Sequence, residues 1–365
     1  MMRLMDRIGS AVAGAGKADR PGLERLALLG LVVVAISLPV LAIAAPGRQV
    51  PAYELAVPST VSAQMQAAMA KAPPSVAPPA VPTTNAGWEA FFNPEPAKTH
   101  ARISGLLATY RLAMTEETIG GVHCYRLRPA DGTAKAKRLL MNLHGGAYTG
   151  GAGESGLLEA VLVAGTTRIE TVAVDYRMPP SHPFPAPVDD AVAVWKQITR
   201  SYPRYRLGIF GTSSGGGMVL AVTQRTIAAR LRVPDAIMAG TPWADLSETG
   251  DSYQTDRYAD PVVYEGELSV AAKQYANGLD LKDPRLSPIY GSFSGFPPTL
   301  LLAGARDLFL SNTVRVDRKL RDAQRRSQLI VYEGQSHAAY LSGVEFPETL
   351  TAMRDIAAFF AVALK

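Results

Sequence analysis

The chain has 365 residues, 47% of them hydrophobic, enough for one large core, while 32 Gly and 27 Pro exclude a plain helical bundle. The net charge of +5 is small, and residues ahead of the first apolar run account for +2 of it (Arg3, Arg7, Lys17, Arg20 and Arg25 against Asp6, Asp19 and Glu24), which argues against a nucleic-acid partner. A single cysteine, Cys124, excludes an internal disulfide framework.

Residues 26–45 form an uncharged stretch of 20 residues. At ~1.5 Å per residue such a helix crosses a bilayer core of ~30 Å. The cations before it belong on the cytoplasmic side, and Ala42-Ile43-Ala44 is a pattern that a signal peptidase cuts. The sequence therefore predicts export, with residues 1–48 as a cleaved signal peptide or a retained inner-membrane anchor. Residues 49–105 read as a separate segment. Val61, Met65, Ala68 and Met69 recur at helical spacing within Thr60–Lys71, residues 73–82 are a Pro-rich extended connector, and Trp88, Phe91 and Phe92 share one side of a second short helix.

From about residue 106 strands and helices alternate. The predicted strands are Thr118–Leu127, Arg138–Leu143, Glu170–Val174, Leu207–Phe210, Ala236–Ala239, Pro298–Ala303 and Gln328–Tyr332. The predicted helices are Leu157–Thr167, Ala186–Arg200, Gly216–Arg230, Thr313–Arg326 and Thr349–Ala363. Short apolar strands separated by helices imply a mostly parallel sheet covered on both faces, an α/β fold. Residues 246–282 interrupt the alternation with a polar, Tyr-containing excursion that can cover the carboxyl edge of the sheet, where such folds bind ligands. Cys124 lies in an alternating run and reads as a small buried side chain.

Gly211-Thr212-Ser213-Ser214-Gly215 follows an apolar strand and precedes a helix, the context in which a serine is held out at a sharp turn as a nucleophile. A phosphate-binding loop needs a different glycine spacing and usually a lysine, both missing here. His144-Gly145-Gly146-Ala147-Tyr148 follows another apolar strand. The N–H groups of Gly145, Gly146 and Ser214 are the candidate oxyanion donors, each worth roughly 3 kcal/mol in a transition state, and His144 is assigned to ordering the loop. The base should follow the serine in the chain. Only His337 does so, since His100, His123, His144 and His182 all precede it. Asp307, shortly after strand Pro298–Ala303, is the candidate acid, ahead of Asp283 and of Asp317, which reads as the solvated side of a helix. No metal-ligand spacing and no nucleotide motif is present, so no cofactor is expected.

Taken together, the HGG loop at 144–146, DYRMPPSHPFPAPVDD at 175–190, GTSSGG at 211–216, TPWADLS at 241–247, DPRLSPIYG at 283–291, GARDLFLSN at 304–312 and the His337 loop resemble the bacterial hormone-sensitive-lipase-like family, the fold-3 esterases of the α/β-hydrolase fold. The resemblance covers roughly residues 55–360. It implies a Ser213–Asp307–His337 triad in a catalytic domain at 106–365, and a helical cap from 49–105 and an insertion at about 246–282. It also implies short-to-medium acyl esters, or lactones, as substrates. Ala147 stands where a third glycine is common, Thr212 where many members carry an acid, and Ser214 where alanine is usual. Arg177 pairs with Asp189 or Asp190 as scaffold. The expected partner is a small-molecule ester, with the membrane involved only through an uncleaved N-terminal segment. Deacylation of an envelope lipid or polysaccharide is the second reading, and a non-catalytic receptor is disfavoured because all three triad residue types are present.

Overall fold

The computed structural model describes residues 54–72 and 80–365. The apolar stretch 26–45, its cleavage pattern and most of the Pro-rich connector lie outside the described residues. Among those described, no helix is long and apolar enough to cross a membrane.

Eight strands form one sheet: β1 (Leu112–Ile119), β2 (Val122–Pro129), β3 (Arg138–Leu143), β4 (Glu170–Val174), β5 (Arg206–Thr212), β6 (Ala236–Gly240), β7 (Thr299–Gly304) and β8 (Ser327–Tyr332). Their spatial order is β1-β2-β4-β3-β5-β6-β7-β8. Strand β2 runs antiparallel to β1 and β4, and every other pairing is parallel. Ten helices are described: α1 (Ala63–Lys71), α2 (Asn85–Phe92), α3 (Pro96–Tyr110), α4 (Leu158–Thr167), α5 (Ala186–Ser201), α6 (Ser214–Ala228), α7 (Ser252–Thr255), α8 (Ser269–Ala276), α9 (Leu310–Asp322) and α10 (Pro347–Ala363).

The strand side chains alternate between two cores. Leu139, Met141 and Leu143 of β3 join Val194 and Trp195 of α5, Met218 and Leu220 of α6, and Val316 and Leu320 of α9. Leu140, with Phe210 of β5 and Leu300 and Leu302 of β7, packs instead on Ile103 of α3, residues 160–164 of α4 and Phe360 of α10. Both faces are covered, so the central strands read as continuous apolar runs, and all six residues of β7 are buried. Truncating one such side chain, Phe360→Ala, would cost about 3–5 kcal/mol.

The expected single strand Thr118–Leu127 is a hairpin. Ile119 faces Val122 across Gly120-Gly121, both of which have positive φ, 60° and 85°. That tight turn needs φ > 0 twice, which only a pair such as Gly-Gly supplies without strain. The turn shifts the alternation by one position, with Ile119 before it and Val122 and Cys124 after it on one face, and so small a change of phase does not stand out within a ten-residue run. Helices Thr313–Arg326, Gly216–Arg230 and Thr349–Ala363 begin two or three residues earlier than expected, and the first two end sooner.

The N-terminal helices are tied down by polar anchors. Ser62 caps α1 by accepting from Met65 N–H, while its own hydroxyl donates to Glu348 of α10 at 2.8 Å. Trp88 of α2 is fully buried, stacks on Phe92, and donates its indole N–H to Gln274 of α8 at 2.8 Å. Arg177 is bidentate on Asp190, whereas Asp189 pairs with Arg225. The loops that follow β3, β5, β6, β7 and β8 all leave from the carboxyl ends of parallel strands and converge there.

Candidate active site

Ser213 sits between β5 and α6 with φ 64° and ψ −126°, a conformation that costs of order 1–3 kcal/mol for a non-glycine residue. Its backbone is held on both sides. The N–H donates to Gly240 O at 2.9 Å, and the carbonyl accepts from Gly217 N–H at 3.0 Å and Trp243 N–H at 2.9 Å. The surroundings thus fix a turn that the residue alone would not choose.

His337, on the loop after β8, reaches this serine. Its Nε2 lies 3.0 Å from Ser213 Oγ, and its Nδ1 lies 3.1 Å from Asp307 Oδ1 and 3.0 Å from Thr241 Oγ1. With the proton on Nδ1 given to the Asp307 carboxylate, Nε2 is left to accept from the serine hydroxyl. Asp307, on the loop after β7, is buried, and its Oδ1 accepts Phe309 N–H at 2.8 Å. Burial pushes the Asp307 carboxyl up, but the His337 charge and hydrogen bonds from His337, Thr241 and Phe309 outweigh it, so the net direction is down. Burial likewise pulls His337 down, and the charge and hydrogen bond of Asp307, with the charges of Asp260 and Glu267, more than reverse it.

Asp260 escaped the sequence reading. It comes from the 246–282 excursion and its carboxylate accepts Leu308 N–H at 2.7 Å, Val262 N–H at 2.9 Å and His337 N–H at 3.0 Å. It thereby binds the backbone of the residue after Asp307 and of His337 itself. Burial pushes its carboxyl up to about 7. Asp260, Asp307 and His337 bring potential ligand atoms within 4.8 Å of one another, but these atoms hold each other and backbone N–H groups, an arrangement suited to a proton. Thr241 was missed as well. It stands in the TPWADLS stretch directly after β6, at the same carboxyl edge of the sheet that supplied the other residues.

The 144–148 loop lies against the serine. A Cβ on Gly145 would stand 2.9 Å from Thr212 O and 3.4 Å from Ser213 Cβ, so only glycine allows this approach. The glycine is therefore required by the backbone of the serine turn against which it packs. Gly146 has φ 106°. Among the described residues the N–H groups of Gly145, Gly146 and Ser214 donate no hydrogen bond to another backbone carbonyl. His144 is buried, accepts at its own carbonyl from Tyr176 O–H at 2.7 Å, stacks on the Tyr176 ring, and has Nδ1 2.7 Å from Gly145 O. The competing acids lie elsewhere: Asp283 pairs with Arg285, and Asp317 is held by Arg321 and Ser327 rather than solvated. His100 and His123 pair with Glu154 and with Glu116 and Asp175, away from the serine.

A cavity of about 300 Å³ opens over Ser213 and His337, lined also by Phe92, Gly145, Gly146, Glu159 and Glu267. Glu159 is a buried carboxyl directly under the turn. It accepts from Thr212 Oγ1 at 2.6 Å and from Asn142 Nδ2 at 3.3 Å, and burial pushes it up to about 7. A lone Glu in the apolar helix LEAVLVAGTT was the sequence signal for it, because a buried carboxyl needs partners. Glu267 is also pushed up to about 7, again by burial.

A family model described as alpha/beta hydrolase fold matches residues 140–341. An acetyl-hydrolase of Streptomyces hygroscopicus is 32% identical over 194 residues, 52% of this chain and 63% of that protein. An esterase of Acinetobacter venetianus is 27% identical over 228 residues, 62% of this chain and 75% of that protein. The crystal structure of esterase E25 superposes with TM-score 0.81 at 34% identity, covering 87% of this chain and 99% of that one. A matched segment that runs from β3 through the serine turn to the His337 loop, on a sheet of this order, makes the chain a member of the fold-3 family of α/β-hydrolases, the hormone-sensitive-lipase-like esterases, and a carboxylic ester hydrolase.

Proposed function

We propose that the protein hydrolyses short-to-medium acyl esters, or lactones, with Ser213 as nucleophile, His337 as general base and Asp307 as the group that orients it. The observation that carries this reading is the continuous chain from Ser213 Oγ through His337 to Asp307, with contacts of 3.0 and 3.1 Å. Ser213 Oγ attacks the ester carbonyl and gives its proton to His337 Nε2. The negative charge on the carbonyl oxygen is met by the N–H groups of Gly145, Gly146 and Ser214. The imidazolium then protonates the leaving alcohol, and water repeats the sequence to free the acid and the serine. The similarity to an acetyl-hydrolase and to an ethyl acetate hydrolase of Pseudomonas putida, 32% identical over 225 residues, supports a short acyl group.

The helices at 54–105 and the excursion at 246–282 act as a cap; the Trp88–Gln274 bond that links them and the position of Phe92 in the cavity wall support this. The uncharged stretch 26–45 supports export, and fractionation of the full-length chain between membrane and soluble fractions tests it. For the chemistry, Ser213→Ala should abolish both fluorophosphonate labelling and turnover of short p-nitrophenyl esters. Undiminished turnover in that variant ends the reading.

A further inference from the structure

A second cavity, of about 450 Å³, adjoins the first and shares His337, Ala338 and Leu341 with it. It runs under α1, where Met65 and Met69 form an apolar wall, and it does not touch Ser213 or the Gly145–Gly146 loop. The two chambers differ in their ionisable lining. The chamber over Ser213 is lined by Glu159 and Glu267 and by no Lys or Arg, whereas the chamber under α1 is lined by Arg306 and by no acidic side chain.

Arg306 is half-buried and gives one guanidinium N–H to Ala56 O at 2.9 Å. Among the described residues it has no carboxylate within ion-pair distance; Asp256 feels its charge from farther off and does not line the chamber. A guanidinium offers five donors in a planar fork, so one bond to a carbonyl leaves most of its capacity for a ligand anion. The leaving oxygen must lie on the His337 side of the scissile bond, because the imidazole delivers its proton there. The chamber bounded by His337 but not by the serine or its oxyanion donors is therefore the one that takes the alcohol portion.

We propose that the alcohol portion of the preferred ester carries an anionic group, a carboxylate or a phosphate, at the end of an apolar stem that lies along Met65 and Met69 and is read by Arg306. This rests on the esterase reading of Ser213 and His337 and names the substrate class for that site.

The test uses the acetate esters of ω-hydroxy acids of graded length, of the matching plain alcohols and of the matching amino alcohols, with acid release followed by titration. Wild-type kcat/KM should favour the carboxylate ester over the ammonium ester by about tenfold or more at the length that reaches Arg306, the factor expected of one charge-assisted hydrogen bond. Phosphate-ended alcohol esters run in parallel separate the two anions. The preference should persist in Arg306→Lys and collapse towards unity in Arg306→Gln, chiefly through KM. Equal turnover of the three ester types by the wild-type protein, at every length, overturns the proposal while leaving the esterase reading intact. Failure to hydrolyse even the plain alkyl acetates overturns the esterase reading itself.

Discussion

Replacing Glu159 by Gln should stabilise the protein at alkaline pH and leave it nearly unchanged in mild acid. Glu159 is 5% exposed, and burial raises its carboxyl from an ordinary 4.5 to about 7. A carboxyl raised on folding contributes its full stability below the unfolded value, and that contribution is lost as pH rises through the folded value. At 1.36 kcal/mol per unit, the wild-type protein therefore loses about 3 kcal/mol from this group between roughly pH 4.5 and 7. Glutamine has no such loss. Its side-chain oxygen still accepts from Thr212 Oγ1, and its NH₂ can face Asn142, whose Oδ1 has no partner and whose amide can turn to present it. The substitution should thus cost at most about 1 kcal/mol in hydrogen bonding. The expected net effect is a loss of up to ~1 kcal/mol near pH 5 and a gain of about 2 kcal/mol near pH 8, which is a rise of roughly 4 °C in Tm at the higher pH. Thermal melts of both proteins at the two pH values measure it. Asp260 and Glu267 are common to both proteins, so their titration cancels in the difference. A difference in Tm that is the same at both pH values would refute the reasoning, because it would mean that Glu159 does not ionise in that range.

Asp260→Asn should shift the acid limb of the kcat/KM profile to lower pH. Asp260 is one of the charges that raise His337, and a base with a lower pKa stays neutral further into acid. The same change should cost about 1–3 kcal/mol in stability, since an amide nitrogen cannot accept one of the three backbone N–H groups. Thr241→Val, which removes the hydroxyl 3.0 Å from His337 Nδ1, should lower kcat by about tenfold with little change in KM, read from steady-state kinetics. Gly145→Ala should lower kcat by about 100-fold or more, because the new Cβ meets a backbone oxygen at 2.9 Å and displaces the N–H donors beside Ser213. Cys124 is fully buried, and burial pushes its thiol up to about 12, so iodoacetamide should label it only in denaturant and leave native activity untouched.

The central strands were legible because parallel strands covered on both faces write themselves as short β-rich apolar runs between helices. The serine turn and the His337 loop were legible because each follows such a run at a strand end, where the chain has to expose a side chain. The Gly120-Gly121 hairpin was hidden because its two-residue turn slips the alternation by only one position, between Ile119 and Val122, inside a short apolar run. Asp260 was hidden for another reason. It lies 77 positions from the His337 N–H it accepts, in a polar segment with no period, and only the fold brings it beside the loops that follow β7 and β8. Arg306 stands beside Asp307 in the chain, yet it lines the cavity under α1 while Asp307 is buried behind His337, a divergence that spacing along the chain does not show. Asp317 was misread because its helix has a basic outer face; the acid itself turns towards Ser327 of β8 and the i+4 partner Arg321.

The glycines around Ser213 have a consequence for how the site tolerates change. A Cβ on Gly211 would stand 2.2 Å from Leu143 O, and one on Gly215 would stand 2.0 Å from the same oxygen. Both residues therefore press the serine turn against the end of β3, the strand that launches the 144–148 loop. The serine turn and the N–H groups of the 144–148 loop are in this way coupled through the end of β3, in addition to the hydrogen bonds that hold the Ser213 backbone to Gly217, Gly240 and Trp243. Enlarging Gly215 should then move the serine and the donors together, so that its effect on kcat exceeds what the loss of Ser214 N–H alone would give. Enlarging Ala147, whose own Cβ is already accommodated at φ 54° and which is buried at 3% exposure, should disturb packing of the loop without separating β3 from β5. The ratio of these two effects on kcat, compared at equal loss of Tm, distinguishes a shared frame from independent parts.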